Sequence, residues 1–204
     1  MQNQRDRIFN SLAAVCAVKG YPATTVEDVT VHAGVSRRTF YDLFADKEDC
    51  FVAAYDAIIE RLIDEVGAAY GAGERPWAQR LVEALRTVIE LFAAEPVLAR
   101  LVVVEVLAAG RRALEHRDAA LERFVAFFEP GGAGLPVGMD GRELVAEAVI
   151  GGLYEVVYNQ ILDGQADRLP ELLPDLVYCA LVPYVGHAAA LGAGEAERRR
   201  PISF

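Results

Sequence analysis

The sequence contains little cysteine and none of the patterns in which cysteine usually has a structural role. Its 204 residues include three cysteines, Cys16, Cys50 and Cys179, which lie far apart and form no CxxC pair. An odd number of widely spaced cysteines gives no support to a disulfide framework or to a cysteine-based zinc site. Free thiols are typical of a reducing compartment, so we expect a cytoplasmic protein.

Long apolar runs are also absent. The longest covers residues 97–109, which is too short to span a bilayer and is interrupted by Arg100 and Glu105. The N-terminal segment, MQNQRDRIFNSL, is polar and lacks the apolar core of a signal peptide. We therefore expect no membrane partner. The mean hydropathy is nevertheless +0.21, which indicates large apolar faces such as a ligand pocket or an oligomer interface.

Motifs of enzymes and metal sites are missing as well. The three histidines, His32, His116 and His187, are isolated, and the chain contains no HExxH, GxSxG, Walker A or GxGxxG motif. We therefore predict a protein that is not an enzyme, with no catalytic residue, no metal and no cofactor. Catalysis without a known motif is kept as an alternative.

The negative charge of the chain is unevenly distributed. The net charge is −10, from 30 acidic and 20 basic residues. The first 50 residues contain seven acidic and six basic side chains, so about −9 belongs to the other 154 residues. A net negative charge disfavours nucleic acid, but its distribution matters more than the total. The N-terminal segment is therefore the part least opposed to a nucleic-acid partner.

Apolar residues recur at helical spacing along almost the whole chain, and no segment alternates with a period of two. The pattern predicts an all-α protein. The first helix is expected to end at Gly20, and Thr25 with Asp28 resembles a capping box for the second. Gly34 is expected to close that helix in a left-handed turn, and Ser36 to cap a third helix.

These elements predict three segments. A helix-turn-helix head is expected over residues 1–46, a helical ligand-binding and dimerisation domain over 47–190, and a flexible tail over 191–204. The segment 130–138, PGGAGLPVG, is expected to form a loop.

The stretch TTVEDVTVHAGVSRRTFYDLF, followed by ADKEDCF, has the pattern of a helix-turn-helix. The second helix of such a motif enters the major groove of DNA, where its first residues reach the base edges. Arg37 and Arg38 lie in that first turn, and arginine can donate two hydrogen bonds to one guanine. A pair of solvated charges is the alternative interpretation of these arginines.

Residues 5 to about 55 resemble the DNA-binding domain of the TetR family of bacterial transcriptional regulators. The resemblance rests on elements in fixed order: Thr24 and Thr25, AGVS at 33–36, TFY at 39–41, Phe44, and the pair Lys47 and Glu48. It implies a homodimer with two N-terminal heads on double-stranded, palindromic operator DNA. It also implies C-terminal helical domains that bind a small hydrophobic or amphipathic effector, which releases the DNA, most often from a repressor.

The family pattern assigns roles to individual residues. It implies phosphate contacts from Thr25, Ser36, Tyr41 and Lys47, and base contacts from Arg37, Arg38, Thr39 and Asp42. Asp46, Glu48 and Asp49 are interpreted as solvated charges. Leu43 replaces a Tyr or His that is frequent in the family, which removes one expected phosphate contact. A ligand-binding or protein-interaction module with a non-functional DNA head is therefore the second alternative.

Seven residues of the C-terminal helices are candidates for effector binding, with ordinary core packing as the alternative. They are Trp77, Phe92, Leu101, Glu105, Phe124, Phe127 and Tyr154. Glu105 interrupts an apolar run, where an isolated charge is costly. We expect it either to form an internal pair with an arginine, such as Arg111, Arg112 or Arg123, or to anchor a ligand.

The last two predicted helices combine small residues with apolar ones, which suits a dimer interface. The candidates are Gly151, Gly152, Leu153, Val156, Val157, Leu176, Leu181 and Tyr184. Two helices from each subunit would form a four-helix bundle. The alternative is that these stripes only close the core of one protomer. Pro183 is expected to kink or end the final helix.

Overall fold

The computed structural model of the chain describes residues 2–135 and 142–200. Within these ranges the protein contains ten α-helices and no strand, which confirms the all-α prediction. The helices are α1 (Gln2–Lys19), α2 (Val26–Ala33), α3 (Arg37–Tyr41), α4 (Lys47–Gly71), α5 (Trp77–Ala94), α6 (Pro96–Val103), α7 (Arg111–Val125), α8 (Arg142–Leu162), α9 (Leu169–Val185) and α10 (His187–Arg198). Short 3-10 segments cover Glu105–Ala108, Ala126–Gly134 and Ala166–Arg168.

The chain divides into two compact units. Unit 1 comprises Met1–Arg61 and Glu95–Ala119, and unit 2 comprises Leu62–Ala94 and Ala120–Phe204. Unit 1 thus contains α1–α3, the first part of α4, α6 and the start of α7. This division follows compactness, and the predicted functional boundary after residue 46 stays a prediction. No helix in the described ranges is long and apolar enough to cross a membrane.

The head of unit 1 is built from local signals that the sequence displays. Thr25 and Asp28 form the predicted capping box at the start of α2. Gly34 ends α2 with a φ of 62°, the left-handed conformation that glycine adopts at little cost. Ser36 caps α3 by accepting a hydrogen bond from the backbone N–H of Thr39. These three predictions are confirmed.

The core of unit 1 draws on α1, α3, α4 and α6. Ile8, Leu12, Phe40, Phe51 and Leu101 are all fully buried within it. A head of about 45 residues has little core of its own, so the apolar residues of α4 and α6 complete it.

Unit 2 is organised around α9, which packs against α5, α8 and α10. Its largest fully buried aliphatic side chains are Val66, Leu81, Leu169, Val177 and Leu181. The surrounding helices leave α9 with few exposed positions, which explains why so much of its apolar surface lies in the core of one protomer.

The C-terminal part differs from the sequence prediction. α9 continues past Pro183 to Val185, and α10 then extends to Arg198, where a flexible tail was expected from residue 191. The physical reason is packing: a Cβ on Gly194 would lie 2.6 Å from the carbonyl oxygen of Pro174, so glycine lets α10 approach α9 closely. The expected loop over 130–138 begins inside the 3-10 segment Ala126–Gly134. Residues 136–138 of that loop lie outside the described residues.

The three cysteines are free. Cys16 and Cys50 are buried in unit 1, whereas Cys179 is exposed on α9. Burial raises the pKa of the Cys16 thiol to about 11 and raises that of Cys50 even further.

The conformation of Gly34 yields a test of the turn between α2 and α3. Gly34→Ala is expected to lower the free energy of unfolding by about 1–2 kcal/mol, because an L-residue is strained at this φ. The added Cβ would also lie 2.9 Å from the Arg7 guanidinium. Urea unfolding monitored by circular dichroism measures the change. Gly67→Ala, in open space on α4, is the control and should stabilise the protein by up to about 1 kcal/mol. A similar loss for both variants would contradict the prediction.

Candidate functional site

Two buried aromatic residues orient α3. Phe40 is 1% exposed, and its ring lies 5.4 Å from that of Phe44, which in turn lies 5.8 Å from that of Phe9 on α1. Phe40 on α3 and Phe44 in the turn that follows it face the same core, so the opposite side of α3 is left outside the core.

The outer side of α3 presents the residues predicted to bind DNA. Arg37, Arg38, Tyr41 and Asp42 are exposed, and Thr39 is half-buried. In the described part of the chain, neither arginine takes part in an ion pair or a hydrogen bond through its side chain. Both guanidinium groups are therefore available to an external partner, and their roles on DNA stay a prediction.

The two predicted phosphate-binding hydroxyl groups also act as helix caps. Ser36 Oγ lies 2.9 Å from Thr39 Oγ1, and Thr25 Oγ1 accepts a hydrogen bond from the N–H of Asp28 at 3.1 Å. Lys19 donates to the carboxylate of Asp28 at 2.6 Å. This bond, together with the hydrogen bonds from Thr25, lowers the pKa of Asp28 to about 2. The caps fix both hydroxyl groups while leaving them close to solvent.

Lys47 is placed differently from the other predicted phosphate contacts. Its ammonium donates hydrogen bonds to the carbonyl oxygens of Tyr21 and Thr24, at 2.8 and 2.7 Å, and lies 4.0 Å from the centre of the Tyr21 ring. Burial lowers the pKa of this ammonium. Only one of its three N–H groups is left for a phosphate, so its main observed role is to hold the turn between α1 and α2.

Arg7, which sequence reasoning missed, holds the turn of the helix-turn-helix. Its guanidinium donates to the carbonyl oxygen of Ala33 and, at 3.4 Å, to that of Gly34. On the same face of the head, His32 Nδ1 lies 3.0 Å from Ser11 Oγ. The partners are more than twenty residues apart in sequence, so no local pattern could have revealed these bonds.

Glu105 is a buried carboxylate that bonds the 3-10 segment to the head. One of its oxygens accepts from the backbone N–H of Tyr21 at 2.7 Å, and the other from Nε of Arg100 at 3.0 Å. The predicted internal pair with an arginine is confirmed, and the arginine is Arg100 on α6 rather than one of the three given as examples. With both oxygens engaged in unit 1, the role of Glu105 as a ligand anchor has no structural support.

The start of α7 is bonded to the start of α4. Glu48 accepts from the backbone N–H of Arg112 at 3.2 Å and so caps α7, while Asp49 pairs with the Arg112 guanidinium at 3.3 Å. A Cβ on Gly110 would lie 2.7 Å from the Glu48 carboxylate, so glycine permits this contact. The interpretation of Glu48 and Asp49 as solvated charges was therefore wrong. Each is half-buried and hydrogen-bonded.

The predicted ligand-binding residues do not form one group. Leu101 and Glu105 are buried in unit 1, whereas the other five belong to unit 2 and are half-buried. These five are Trp77, Phe92, Phe124, Phe127 and Tyr154. Their part in effector binding stays a prediction.

Unit 2 contains an aromatic cluster, which we define as Tyr70, Trp77, Phe127, Phe128 and Tyr184. The rings of Tyr70 and Phe127 lie 4.9 Å apart, and those of Trp77 and Tyr184 lie 5.2 Å apart. Trp77 Nε1 and the Tyr70 hydroxyl both donate to the carbonyl oxygen of Phe127, at 2.9 and 3.3 Å. Sequence reasoning had included Trp77 and Phe127 but not their neighbours.

The predicted dimer residues fall into two sets. Val157, Leu176, Leu181 and Tyr184 are buried in the core of the protomer, so their prediction as interface side chains is corrected. The reason is that packing within unit 2 already buries them. On α8, Gly151, Gly152 and Val156 are exposed and Leu153 is half-buried. Only this second set stays a prediction for the interface.

Comparison with known proteins identifies the head. Residues 8–54 match the family model described as bacterial regulatory proteins, tetR family. The match covers the helix-turn-helix head, so residues 8–54 are a domain of the type that the resemblance implied.

Solved structures of TetR-like regulators share the fold. The fatty acid degradation regulator FadR of Bacillus halodurans is 21% identical, with a TM-score of 0.76, over 88% of this chain and 94% of that chain. FadR of Bacillus subtilis, solved in complex with stearoyl-CoA, is 19% identical, with a TM-score of 0.74, over 88% of this chain and 97% of that chain. At these identities the likeness establishes the fold alone.

A curated relative of the chain is the HTH-type transcriptional regulator AlkX of Mycobacterium tuberculosis. It is 24% identical over 94 residues. The match covers 46% of this chain and 44% of AlkX, so it spans less than half the length of that relative.

The bonds of Glu105 predict a stability effect in the TetR-like head. Glu105→Gln is expected to lower the free energy of unfolding by about 1–3 kcal/mol, because it weakens two charge-assisted hydrogen bonds at a buried position. Urea unfolding at pH 7 measures the loss. Glu115→Gln, which removes the carboxylate of an exposed pair with Arg111, is the control and should cost less than about 0.5 kcal/mol. An equal loss in the free energy of unfolding for both variants would show that the buried bonds of Glu105 do not stabilise the protein more than an exposed pair does.

Proposed function

We propose that the protein binds a palindromic operator as a homodimer through α3, represses transcription there, and is released by an amphipathic acyl compound. The observation that carries the proposal is the exposure of Arg37 and Arg38 on a helix that a TetR-family head holds in place. This function is regulatory rather than catalytic.

The geometry of α3 supports base recognition. Arg37 and Arg38 lie in the first turn of α3, the part of a recognition helix that reaches base edges in the major groove. A guanidinium that donates two hydrogen bonds to guanine discriminates against other bases by about 1–3 kcal/mol. The capped hydroxyl groups of Thr25 and Ser36 supply contacts that position the head on phosphates. A head that had lost DNA binding would still need these caps for its stability, but it would not need the two exposed arginines.

We propose that a second copy of the chain covers the exposed face of α8. Leu144, Gly151, Gly152 and Val156 are exposed there at helical spacing, and the glycines allow another helix to approach closely. A two-fold dimer uses the same face twice and places two recognition helices about 34–36 Å apart on a palindrome.

We propose a long-chain fatty acid or its coenzyme A thioester as the effector. Unit 2 contains several half-buried aromatic side chains, which suit an apolar ligand. Among solved structures with similar folds, one is a fatty acid degradation regulator and another is a transcriptional regulator in complex with stearoyl-CoA. We infer that the effector weakens operator binding by changing the contacts of Glu105 and Glu48 with the head, with a coupling of about 1–3 kcal/mol.

Selection of sequences from a random double-stranded DNA pool tests operator binding. The wild-type protein is expected to recover a palindromic sequence. Arg38→Ala is expected to lose the base preference at one position of each half-site and to weaken DNA binding by about 1–3 kcal/mol. The control is Arg111→Ala, which removes the same charge from an exposed position on α7 and should leave the recovered sequence unchanged. Absence of enrichment at low salt, with folded protein, would contradict the proposed function.

Sedimentation equilibrium tests the dimer. Val156→Glu, at a position 41% exposed on α8, is expected to raise the dimer dissociation constant at least about tenfold, because it buries a charge against its symmetric copy. Leu191→Glu is a matched control, 42% exposed on α10, and should leave the mass unchanged. If only Leu191→Glu dissociates the dimer, the interface lies on α10 instead of α8.

A further inference from the structure

In the aromatic cluster of unit 2, one buried side-chain polar atom has no hydrogen-bond partner in the described part of the protein. Tyr184 is 4% exposed, and its hydroxyl oxygen is buried without a hydrogen bond. Its ring contacts those of Trp77 and Phe128, at centroid distances of 5.2 and 5.9 Å. Buried hydroxyl groups are usually hydrogen-bonded, because burial removes the water that solvates them in the unfolded chain. Packing alone therefore does not explain this hydroxyl.

The other two polar groups of the aromatic cluster are satisfied internally. Trp77 Nε1 and the Tyr70 hydroxyl converge on the carbonyl oxygen of Phe127. That oxygen already accepts two hydrogen bonds, the number that its lone pairs allow. A phenylalanine in place of Tyr184 would fill the same space without burying a polar atom. The hydroxyl of Tyr184 is thus the group in this cluster that is left for a ligand.

The surroundings of the hydroxyl define the chemistry of its partner. Burial raises the pKa of Tyr184, so at neutral pH the phenol keeps its proton and can donate it in a hydrogen bond. The neighbouring rings favour an apolar ligand body, and an isolated charge would be costly among them. A neutral carbonyl oxygen attached to an alkyl chain meets both conditions.

We propose that Tyr184 is an effector-binding residue whose hydroxyl donates a hydrogen bond to the acyl carbonyl oxygen, while Trp77 and Phe128 contact the alkyl chain. This inference rests on the acyl effector proposed above, and it adds the side chain that recognises the acyl group. It also gives Tyr184 a role in ligand binding in place of the one predicted for it in dimerisation.

The fluorescence of Trp77 provides the measurement. Trp77 is the single tryptophan of the chain, and its ring contacts Tyr184 directly. Stearoyl-CoA is titrated into the wild-type protein, into Tyr184→Phe and into the control Tyr178→Phe. Tyr178 lies on the same helix, and its hydroxyl is exposed and 3.1 Å from His187 Nδ1. Tyr184→Phe is expected to bind about tenfold more weakly, and Tyr178→Phe to bind like wild type.

A second ligand isolates the carbonyl group. S-octadecyl-CoA has the same chain and the same coenzyme but a thioether in place of the thioester. Wild type is expected to bind it about tenfold more weakly than stearoyl-CoA. Tyr184→Phe should bind both ligands equally. If Tyr184→Phe lowers the affinity for both ligands to the same extent, the hydroxyl does not recognise the carbonyl oxygen, and the proposal is overturned.

The remaining outcomes separate this inference from the proposed function. Equal affinity of wild type and Tyr184→Phe for stearoyl-CoA overturns the role of Tyr184 and leaves the acyl effector in place. Wild-type protein that selects an operator but does not bind stearoyl-CoA overturns both the acyl effector and the role of Tyr184, but not DNA binding. Urea unfolding completes the test, because Tyr184→Phe should keep or raise the midpoint. A lowered midpoint would mean that the hydroxyl has an internal partner, which overturns the proposal.

Discussion

The structure of unit 1 depends on two opposite charges, Glu105 and Lys47, which both bond the turn between α1 and α2. In the turn between α1 and α2, the N–H of Tyr21 donates a hydrogen bond to the buried carboxylate of Glu105. The carbonyl oxygens of Tyr21 and Thr24 accept hydrogen bonds from the ammonium of Lys47. Backbone groups that leave a helix end need partners, and here charged side chains from α4 and from the segment after α6 supply them. The turn therefore fixes α1 and α2 to each other and to two later parts of the chain.

The rest of the head follows from that fixed turn. α1 carries Arg7, which bonds the end of α2, and α3 is oriented by the aromatic anchors Phe40 and Phe44. A recognition helix as short as α3 has little stability of its own, so its orientation is set by tertiary contacts. Preorganisation of this kind lowers the entropic cost of placing guanidinium groups against base edges.

The sequence predicted the features whose causes are local. The capping box at Thr25, the left-handed Gly34 and the cap at Ser36 each depend on residues a few positions apart, and all three are present. The charge of Glu105 was recognised as unusual, but its partner Tyr21 lies 84 residues away, and only the tertiary fold could reveal it. The apolar stripe of α9 was interpreted as a dimer interface, with the core of one protomer as the alternative. Packing within unit 2, which no local pattern displays, decided that Leu181 belongs to the protomer core.

The distribution of the three thiols has a chemical consequence for the whole molecule. Only the thiolate form of cysteine reacts readily with peroxides or alkylating agents. Cys16 and Cys50 lie in the unit that contains the head, where burial keeps them protonated, so such reagents leave the core behind α3 unmodified. Cys179 is exposed on α9, in the other unit. The wild-type chain can therefore carry one thiol-directed probe at one defined position.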